Sequence, residues 1–348
     1  MKSTHAIVVL ISLTLGVGSI PLLTTGGAAA ANACRLPGGV LKPSALAARS
    51  AVECGAVGRL VDAGDGVPLP VQQPGGSVTL DVLYPSGART YTLTTDAGGL
   101  VTTDAQELVT SAGQAPTKAS QFPDLPGPGA CERDSYVLRP YKWYGPWLFR
   151  TTTGTALAND SQADFDAAAR RATANITQGR NTCGLRGGIF ASGAFIGHTT
   201  HRGNFVYADG QTTCGASDHR NVIDEGDLPA GFLDATLAWT CTWAETHHGV
   251  MMAIEADIRM NSGDYNWTYN PADDPACDPA LPPDPDRWRY DVESVLTHEV
   301  GHVYGLVNLS AAEDVNQTMF PGIRRCTGHM RTLGRGDVLG LRALYGRR

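Results

Sequence analysis

The run His-Glu-Val-Gly-His-Val-Tyr-Gly at residues 298–305 constrains the fold and the chemistry of this chain more than any other feature. On an α-helix with about 3.6 residues per turn, His298 and His302 project from one face and can grip one metal ion. Glu299 lies part of a turn away, close enough to receive a proton from a metal-bound water without being a ligand itself. The run therefore predicts the helix of a metal-dependent hydrolase, ending at Gly305, since glycine is a common helix terminator.

The N-terminus has the order of a secretory signal peptide. Lys2 precedes an apolar stretch at about residues 6–23, and a run of small residues follows at 26–33. This predicts a signal peptide over residues 1–33 and a secreted, extracellular protein that keeps no membrane segment after cleavage. A membrane anchor is the alternative, which the short length of the stretch and its internal Gly and Pro residues disfavour.

All eight cysteines follow the predicted cleavage point. An even number in an exported chain predicts up to four disulfides, but the sequence does not select among the pairings. The cysteines are Cys34, Cys54, Cys131, Cys183, Cys214, Cys241, Cys277 and Cys326.

Composition shifts divide the rest of the chain. Residues 34–120 alternate β-prone runs, such as 78–84 and 90–95, with turn signals, which predicts a small β-rich domain or a pro-region. The stretch 121–135 is rich in Pro and Gly and is interpreted as a linker. Residues 136–348 then form the main domain. The sequence leaves open whether the β-rich part is removed on maturation.

The main domain mixes helix and strand signals without a regular βαβ repeat. A capping pattern at 160–164 predicts a helix to about residue 178, and 250–260 is the clearest strand candidate. Helices are also predicted at about 291–305 and 336–345. The fold class is therefore α+β.

A wider pattern around the histidines resembles a known family. His298-Glu299-x-x-His302-x-x-Gly305-x-x-Asn308 is similar to the zinc signature of the metzincins, and Gln317-Thr318-Met319-Phe320-Pro321 resembles their Met-turn. The runs at 290–296 and 332–346 are similar to matrixin-like bacterial secreted peptidases. The resemblance covers roughly Tyr136 to the C-terminus.

The resemblance implies a metzincin-like catalytic domain, in which a twisted mixed sheet carries an active-site helix and a C-terminal helix. It implies a zinc metalloendopeptidase, expected as a monomer, with Zn²⁺ held by His298 and His302, Glu299 as general base and Met319 beneath the metal. A protein or peptide substrate would add as a strand to an exposed sheet edge. The residues assigned to that edge strand are Ala256, Asp257 and Ile258.

Asn308 departs from the family pattern, which has His or Asp as the third ligand. Its neutral amide oxygen is a weaker zinc ligand than an imidazole or a carboxylate. Three interpretations stay open: Asn308 binds through its carbonyl oxygen, a nearby side chain replaces it, or the domain is a degenerate metzincin that serves as a secreted protein- or peptide-binding module. The candidate replacements are Glu313, Asp314 and His329.

Other site classes are disfavoured. The net charge of −7 and the lack of a Lys/Arg cluster argue against nucleic-acid binding, and Gly-x-Ser-x-Gly is absent. His247 and His248 are adjacent, so on an extended segment they face opposite ways. Neither Cys34 nor Cys54 lies in the pro-region motif that matrixins use for latency. A Ca²⁺ site is a further hypothesis, weakened by the absence of EF-hand spacing, at Asp273, Asp274, Asp278, Asp284 and Asp286.

Overall fold

The computed structural model describes residues 34–85, 87–109, 129–154, 157, 161–186, 188–228, 236–278, 280 and 289–348. Contacts divide the chain into Met1–Cys34 and Arg35–Arg348, and the helices and strands of the described ranges belong to the second unit. The predicted signal peptide and most of the predicted linker lie outside the described residues. Within the described ranges, no helix is long and apolar enough to cross a membrane.

The first part of the chain is β-structure, as its alternating pattern predicts. The predicted runs 78–84 and 90–95 are confirmed as two long paired strands, in which Val78 lies opposite Leu93. A short 3-10 helix occupies Pro43–Leu46. The strands are β1 (Leu60–Asp62), β2 (Pro68–Pro70), β3 (Gly76–Tyr84), β4 (Gly87–Thr95) and β5 (Val101–Val109).

The second part alternates strands and helices. Its strands are β6 (Trp147–Thr152), β7 (Gly193–Thr199), β8 (Phe205–Ala208), β9 (Gln211–Cys214), β10 (Val222–Gly226), β11 (Ala238–His247), β12 (Val250–Asn261), β13 (Trp267–Thr268) and β14 (Tyr290–Asp291). Its α-helices are α1 (Gln162–Thr177), α2 (Val292–Val303) and α3 (Arg335–Tyr345). Short 3-10 helices lie at Pro275–Cys277, Ala312–Asp314 and His329–Arg331.

Among the described residues, eight strands form one mixed sheet in the order β5-β4-β3-β11-β12-β10-β6-β7. Neighbouring strands are antiparallel from β5 to β12 and parallel from β12 to β7. The predicted α+β class is confirmed, with a large mixed sheet and helices packed beside it.

The sheet runs across the predicted domain division. Strand β3, from the β-rich region, pairs along its length with β11, so that Leu83 lies opposite Ala238 and Gly76 opposite Glu245. The chain on the two sides of the predicted linker therefore contributes to one sheet within one compact unit.

The assignment of Ala256, Asp257 and Ile258 to an edge strand is wrong. These residues lie in β12, which pairs with β11 on one side and with β10 on the other. Strand β12 is therefore an interior strand of the sheet, paired with β11 along its length and with β10 from Ile258 onward, and the Ala256 N–H donates to the Asn221 side chain. A strand pattern in the sequence shows that a segment is extended but not how many neighbours it has.

Two capped helices pack together beside the sheet. The Ser161 side chain accepts a hydrogen bond from the Asp164 backbone N–H, and the Asp164 carboxylate accepts one from the Ser161 backbone, so α1 starts with the predicted capping box. Asp291 caps α2 by accepting from the Ser294 N–H at 2.9 Å. The two helices are joined by a hydrogen bond from Asn175 to Glu293 at 3.0 Å.

Two apolar clusters account for most of the core. One packs α1, α2 and α3 against β6, β10, β11 and β12. The other lies under β1–β4 and is completed by Trp239 and Trp243 of β11, which are buried in it. Aromatic side chains of this size each bury about 150–250 Å², so the β-rich part and the rest of the chain share this second cluster.

All eight cysteines are disulfide-bonded, as predicted. Cys131 pairs with Cys183, Cys214 with Cys241, and Cys277 with Cys326. The second of these disulfides ties β9 to the middle of β11, beside the place where β3 joins the sheet.

Candidate metal centre and active site

Helix α2 brings the two predicted histidine ligands together. The imidazole ring centroids of His298 and His302 are 4.9 Å apart with the planes nearly perpendicular, and both side chains are buried. The helix ends at Val303, and Gly305 follows with φ 87°. A Cβ at Gly305 would also lie 2.9 Å from the carbonyl oxygen of Tyr141, so glycine is required there.

Backbone carbonyls fix the tautomer of both imidazoles. Nδ1 of His298 lies 2.7 Å from the carbonyl oxygen of Thr318, and Nδ1 of His302 lies 3.0 Å from that of Leu306. A carbonyl only accepts, so both Nδ1 atoms donate and each Nε2 keeps its lone pair. This is the orientation that metal-binding histidines use.

Burial keeps these imidazoles neutral. It lowers the pKa of His298 to about 3, with the nearby His302 acting in the same direction. Burial also lowers the pKa of His302. Neutral imidazole is the form that binds a metal.

Glu299 lies on the same helix, and its two carboxylate oxygens differ in their hydrogen bonding. The hydroxyl of Thr240, on β11, donates to Oε2 at 2.5 Å, while Oε1 is buried without a partner among the described residues. Burial raises the pKa of this carboxyl to about 8. A carboxyl with a pKa near neutrality can both accept and return a proton.

Met319 packs directly against α2. Its thioether lies over Gly301, which stands between Glu299 and His302 in the sequence, and a Cβ at Gly301 would collide with the sulfur. The turn that carries Met319 is held by Asp337, whose carboxylate accepts from the Thr318 N–H at 2.7 Å and from the Met319 N–H at 3.3 Å.

Asp337 was not predicted as a site residue. It also accepts from the Gly334 N–H at 2.9 Å, and burial raises its pKa to about 6. A signal was present in the sequence, because Asp337 lies in the first turn of the helix predicted at about 336–345, where a carboxylate is favoured. Its second role, holding the turn beneath the histidines, depends on tertiary contacts.

The packing of Met319 on Gly301 supports a stability prediction. Gly301→Ala is expected to lower the free energy of unfolding by about 1–3 kcal/mol, because overpacking a close contact outweighs the better helix propensity of alanine. Urea unfolding with the disulfides intact measures this loss. The matched control makes Gly301→Ala in a protein that already carries Met319→Ala. In that protein the change should lower the free energy of unfolding by less. An equal cost in both backgrounds would contradict the direct contact.

Asn308 lies beside both imidazoles but is not aligned to hydrogen-bond either. It is almost fully buried, and its Oδ1 and Nδ2 have no partner among the described residues. Against the dominant effect of burial, its proximity acts weakly to raise the pKa of His298 and of His302. Asn308 thus lies next to the two imidazoles, and the donor that it offers there is neutral.

Among the described residues, none of the replacement ligands considered from the sequence forms a metal-holding group with the histidine pair, although Nε2 of His329 is buried without a partner there. Asp314 pairs with Arg133 at 3.4 Å, Glu313 is exposed, and Nδ1 of His329 lies 2.8 Å from the Thr327 hydroxyl. In the part of the chain that the structure describes, no group of three or more His, Cys, Asp or Glu residues is arranged to hold a metal.

A carboxylate from the β-rich region lies in the site. Asp81, on β3, is buried with Oδ2 3.8 Å from Nδ1 of His302, and Oδ1 accepts from Arg139 at 2.7 Å and from Thr90 at 2.6 Å. Burial is the largest single effect and acts to raise the pKa of Asp81, but the charge of Arg139, the nearby histidines and the Thr90 hydrogen bond together outweigh it, and the pKa is lowered. This residue was not predicted from the sequence, although an acidic residue inside an apolar strand run was a visible signal.

Buried polar atoms that lack a hydrogen-bond partner indicate whether these residues fit a metal. Nε2 of His298, Oε1 of Glu299, Oδ1 of Asn308 and Oδ2 of Asp81 are all buried without a hydrogen-bond partner among the described residues. Native proteins partner about nine in ten buried polar groups, and each orphan costs about 1–3 kcal/mol. Imidazole nitrogen, amide oxygen and a nearby carboxylate are suitable surroundings for a divalent cation and a water, so the site fits zinc with a weak third ligand.

The other candidate metal residues do not form a site among the described residues. His247 and His248 are exposed, and His247 lies 3.3 Å from Glu245. Asp274 and Asp278 accept from backbone N–H groups of their own loop. Asp284 and Asp286 lie outside the described residues.

Comparison of the chain with protein-family models and with curated protein sequences gives no match, so the candidate function depends on the residues of the site and their geometry.

Proposed function

We propose that the chain is a secreted zinc-dependent endopeptidase of the matrixin-like metzincin type. The observation that carries the proposal is the face of α2, where two neutral imidazoles with fixed tautomers lie beside a buried carboxyl with a free oxygen. Met319 packed on Gly301 and the turn of the chain at Gly305 support the same assignment. The disulfides support export, since they persist in oxidising compartments.

The residues present define a route for the proton in peptide hydrolysis. His298, His302 and Asn308 would hold a zinc ion, which would supply polarisation of the scissile carbonyl and acidification of a water. Glu299 takes the proton on Oε1, because Thr240 fixes Oε2. The same carboxyl then delivers the proton to the leaving amine, and its raised pKa suits both steps near neutral pH.

The neutral third ligand favours a second candidate, a degenerate metzincin domain with weakened or lost metal binding that acts as a secreted protein- or peptide-binding module. An amide oxygen contributes no charge to the site, and disturbing even groups behind a ligand costs about 10–100-fold in metal affinity or activity. The two candidates differ in whether the natural chain holds zinc at all.

Asn308→His separates them and is expected to raise zinc affinity at least about 10-fold, since imidazole is a better zinc ligand than an amide. Chelator competition measures the affinity, and casein turnover is measured on the same samples. Asn308→Ala, which removes the donor, is the matched control and should bind zinc more weakly than the natural chain. If the natural chain holds no zinc and cleaves nothing while Asn308→His gains both, the peptidase proposal fails in favour of the binding module.

A further inference from the structure

The carboxylate of Asp81 lies behind His302, away from the nitrogen that is free to bind a metal. Oδ2 of Asp81 is 3.8 Å from Nδ1 of His302, and this Nδ1 donates to the Leu306 carbonyl. The lone pair that a metal would use is on Nε2, the other ring nitrogen. Asp81 is therefore placed to act on a metal through this imidazole and not as a ligand itself.

One oxygen of this carboxylate has no partner. Oδ1 accepts hydrogen bonds from Arg139 at 2.7 Å and from Thr90 at 2.6 Å, whereas Oδ2 is buried without a hydrogen-bond partner among the described residues. The group stays ionised despite its burial, because Arg139 and Thr90 stabilise the charged form. A charged oxygen is rarely left in this state in a native protein, so the oxygen that faces His302 indicates an electrostatic role.

The charge of Asp81 acts on each of the predicted site residues of α2. Burial is the main influence on the pKa values of His298, His302 and Glu299, and the Asp81 charge acts on all three in addition. For His302 it is the largest influence after burial. One carboxylate from β3 thus contributes to the electrostatic potential of the whole site.

The expected ligands bring no negative charge to the site. His298 and His302 are neutral, and Asn308 offers an amide oxygen. A divalent cation bound by these groups would keep its full charge in surroundings from which water is excluded, and a buried charge is stable only when it is compensated. His298, Glu299 and His302 are at most 1% exposed, so a compensating charge has to come from the fold.

We propose that Asp81 is a positioning residue that supplies, through His302, the negative charge which the neutral Asn308 does not bring to the metal. The inference rests on the proposed zinc-dependent function. A carboxylate behind a ligating imidazole orients the ring and makes it a stronger donor, and such partners are worth about 10–100-fold in metal affinity. Because Asp81 belongs to β3, the metal site is built from both parts of the chain.

A purely structural role for Asp81 makes a different prediction. If the residue served only as the partner of Arg139, removal of either member would break the same ion pair and disturb the site in the same direction. If its charge acts on the metal, the two removals have opposite effects. Arg139 carries the opposite charge and acts on His302 in the opposite direction.

The test measures zinc affinity of the folded full chain, with its disulfides intact, by competition with a fluorescent chelator. Asp81→Asn keeps the shape of the side chain and is expected to weaken zinc binding about 10–100-fold. Arg139→Met removes a positive charge near the cation and is expected to tighten zinc binding about 3-fold or more. The double change should give an affinity between those of the two single changes.

Asp224→Asn is the matched control. Asp224 of β10 is 0% exposed and pairs at 2.6 Å with Arg259 of β12, which is 11% exposed, so the same kind of buried ion pair is broken in the same sheet. Its other bonds go to Arg202 and to the Gly203 N–H, which lie outside the site. Zinc affinity of this variant should equal that of the natural chain.

A proton NMR signal gives a second readout that a structural role would not move. In zinc-loaded protein, the Nδ1–H resonance of His302 should shift to higher field in Asp81→Asn, because the nearby negative charge is removed. It should stay in place in Asp224→Asn. If Asp81→Asn alone does not fold, the double change is compared with Arg139→Met and should bind zinc about 10-fold more weakly.

Equal losses of zinc affinity in Asp81→Asn and Arg139→Met would overturn the inference, as would unchanged affinity in Asp81→Asn. Both results leave the peptidase proposal standing, because the chain binds zinc. Absence of zinc binding from the natural chain and from every variant would instead refute the proposed function, and the inference with it.

Discussion

Replacing Glu299 by glutamine is expected to lower kcat/KM for casein by about 10²–10⁴-fold, the usual contribution of a general base, in the casein-cleaving form of the chain. Glutamine has the same shape and still accepts from Thr240, so the helix and its contacts are retained. It cannot take up a proton at the free oxygen. Zinc content should stay that of the unchanged chain, because Glu299 is not a ligand in the proposed arrangement.

Steady-state casein turnover and metal analysis of the same preparation measure both expectations. Thr240→Val is the matched control, because it removes the bond to Oε2 and keeps the carboxylate. Thr240→Val should lower kcat/KM for casein about 10–100-fold, the range for a group that orients another. Loss of zinc from Glu299→Gln, or turnover equal to that of the natural chain, would contradict the role assigned to this carboxyl.

Arg139→Ala is expected to lower the free energy of unfolding by about 3–5 kcal/mol, the cost of leaving one member of a buried ion pair without its partner. The Asp81 carboxylate would keep the hydrogen bond from Thr90 but lose its only cationic donor among the described residues. The side chains of Asp81 and Arg139 are 1% and 11% exposed, so solvent cannot replace the lost charge.

A double-mutant cycle isolates this interaction. Asp81→Asn combined with Arg139→Met removes both charges while roughly keeping volume, and its cost should be smaller than the sum of the two single changes. Urea unfolding with intact disulfides measures each member. Additive costs would show that the pair is not coupled and that β3 is not held by it.

The local features of the candidate site were accessible from the sequence. The start of α1 and the extent of α2 followed from capping residues and helical spacing, and the structure places both helices within one to three residues of the predicted bounds. These signals act within a few residues of the chain, so no knowledge of tertiary contacts is needed to use them.

The features that were not predicted from the sequence join distant parts of the chain. Asp81 lies in the run 78–84, whose pattern predicts only a strand. The pairing of β3 with β11 brings this residue to His302. The assignment of an edge to residues 256–258 failed for the same reason, because pairing partners are not encoded in the periodicity of one strand. Asp337 was recognisable as a carboxylate in the first turn of a helix, but its hold on the turn of Met319 was not.

The sequence by itself determined the chemical character of this protein: a helix with two histidines and a glutamate on neighbouring positions, a glycine that ends it, and an asparagine where a stronger ligand is expected. These are set by residue identity and by spacing along one helix. The tertiary structure alone decided that the site is closed, that a carboxylate from the β-rich part faces the histidines, and that the adjacent edge of β11 is already paired. The physical reason is that burial and strand pairing depend on which distant segments share one sheet and one apolar cluster.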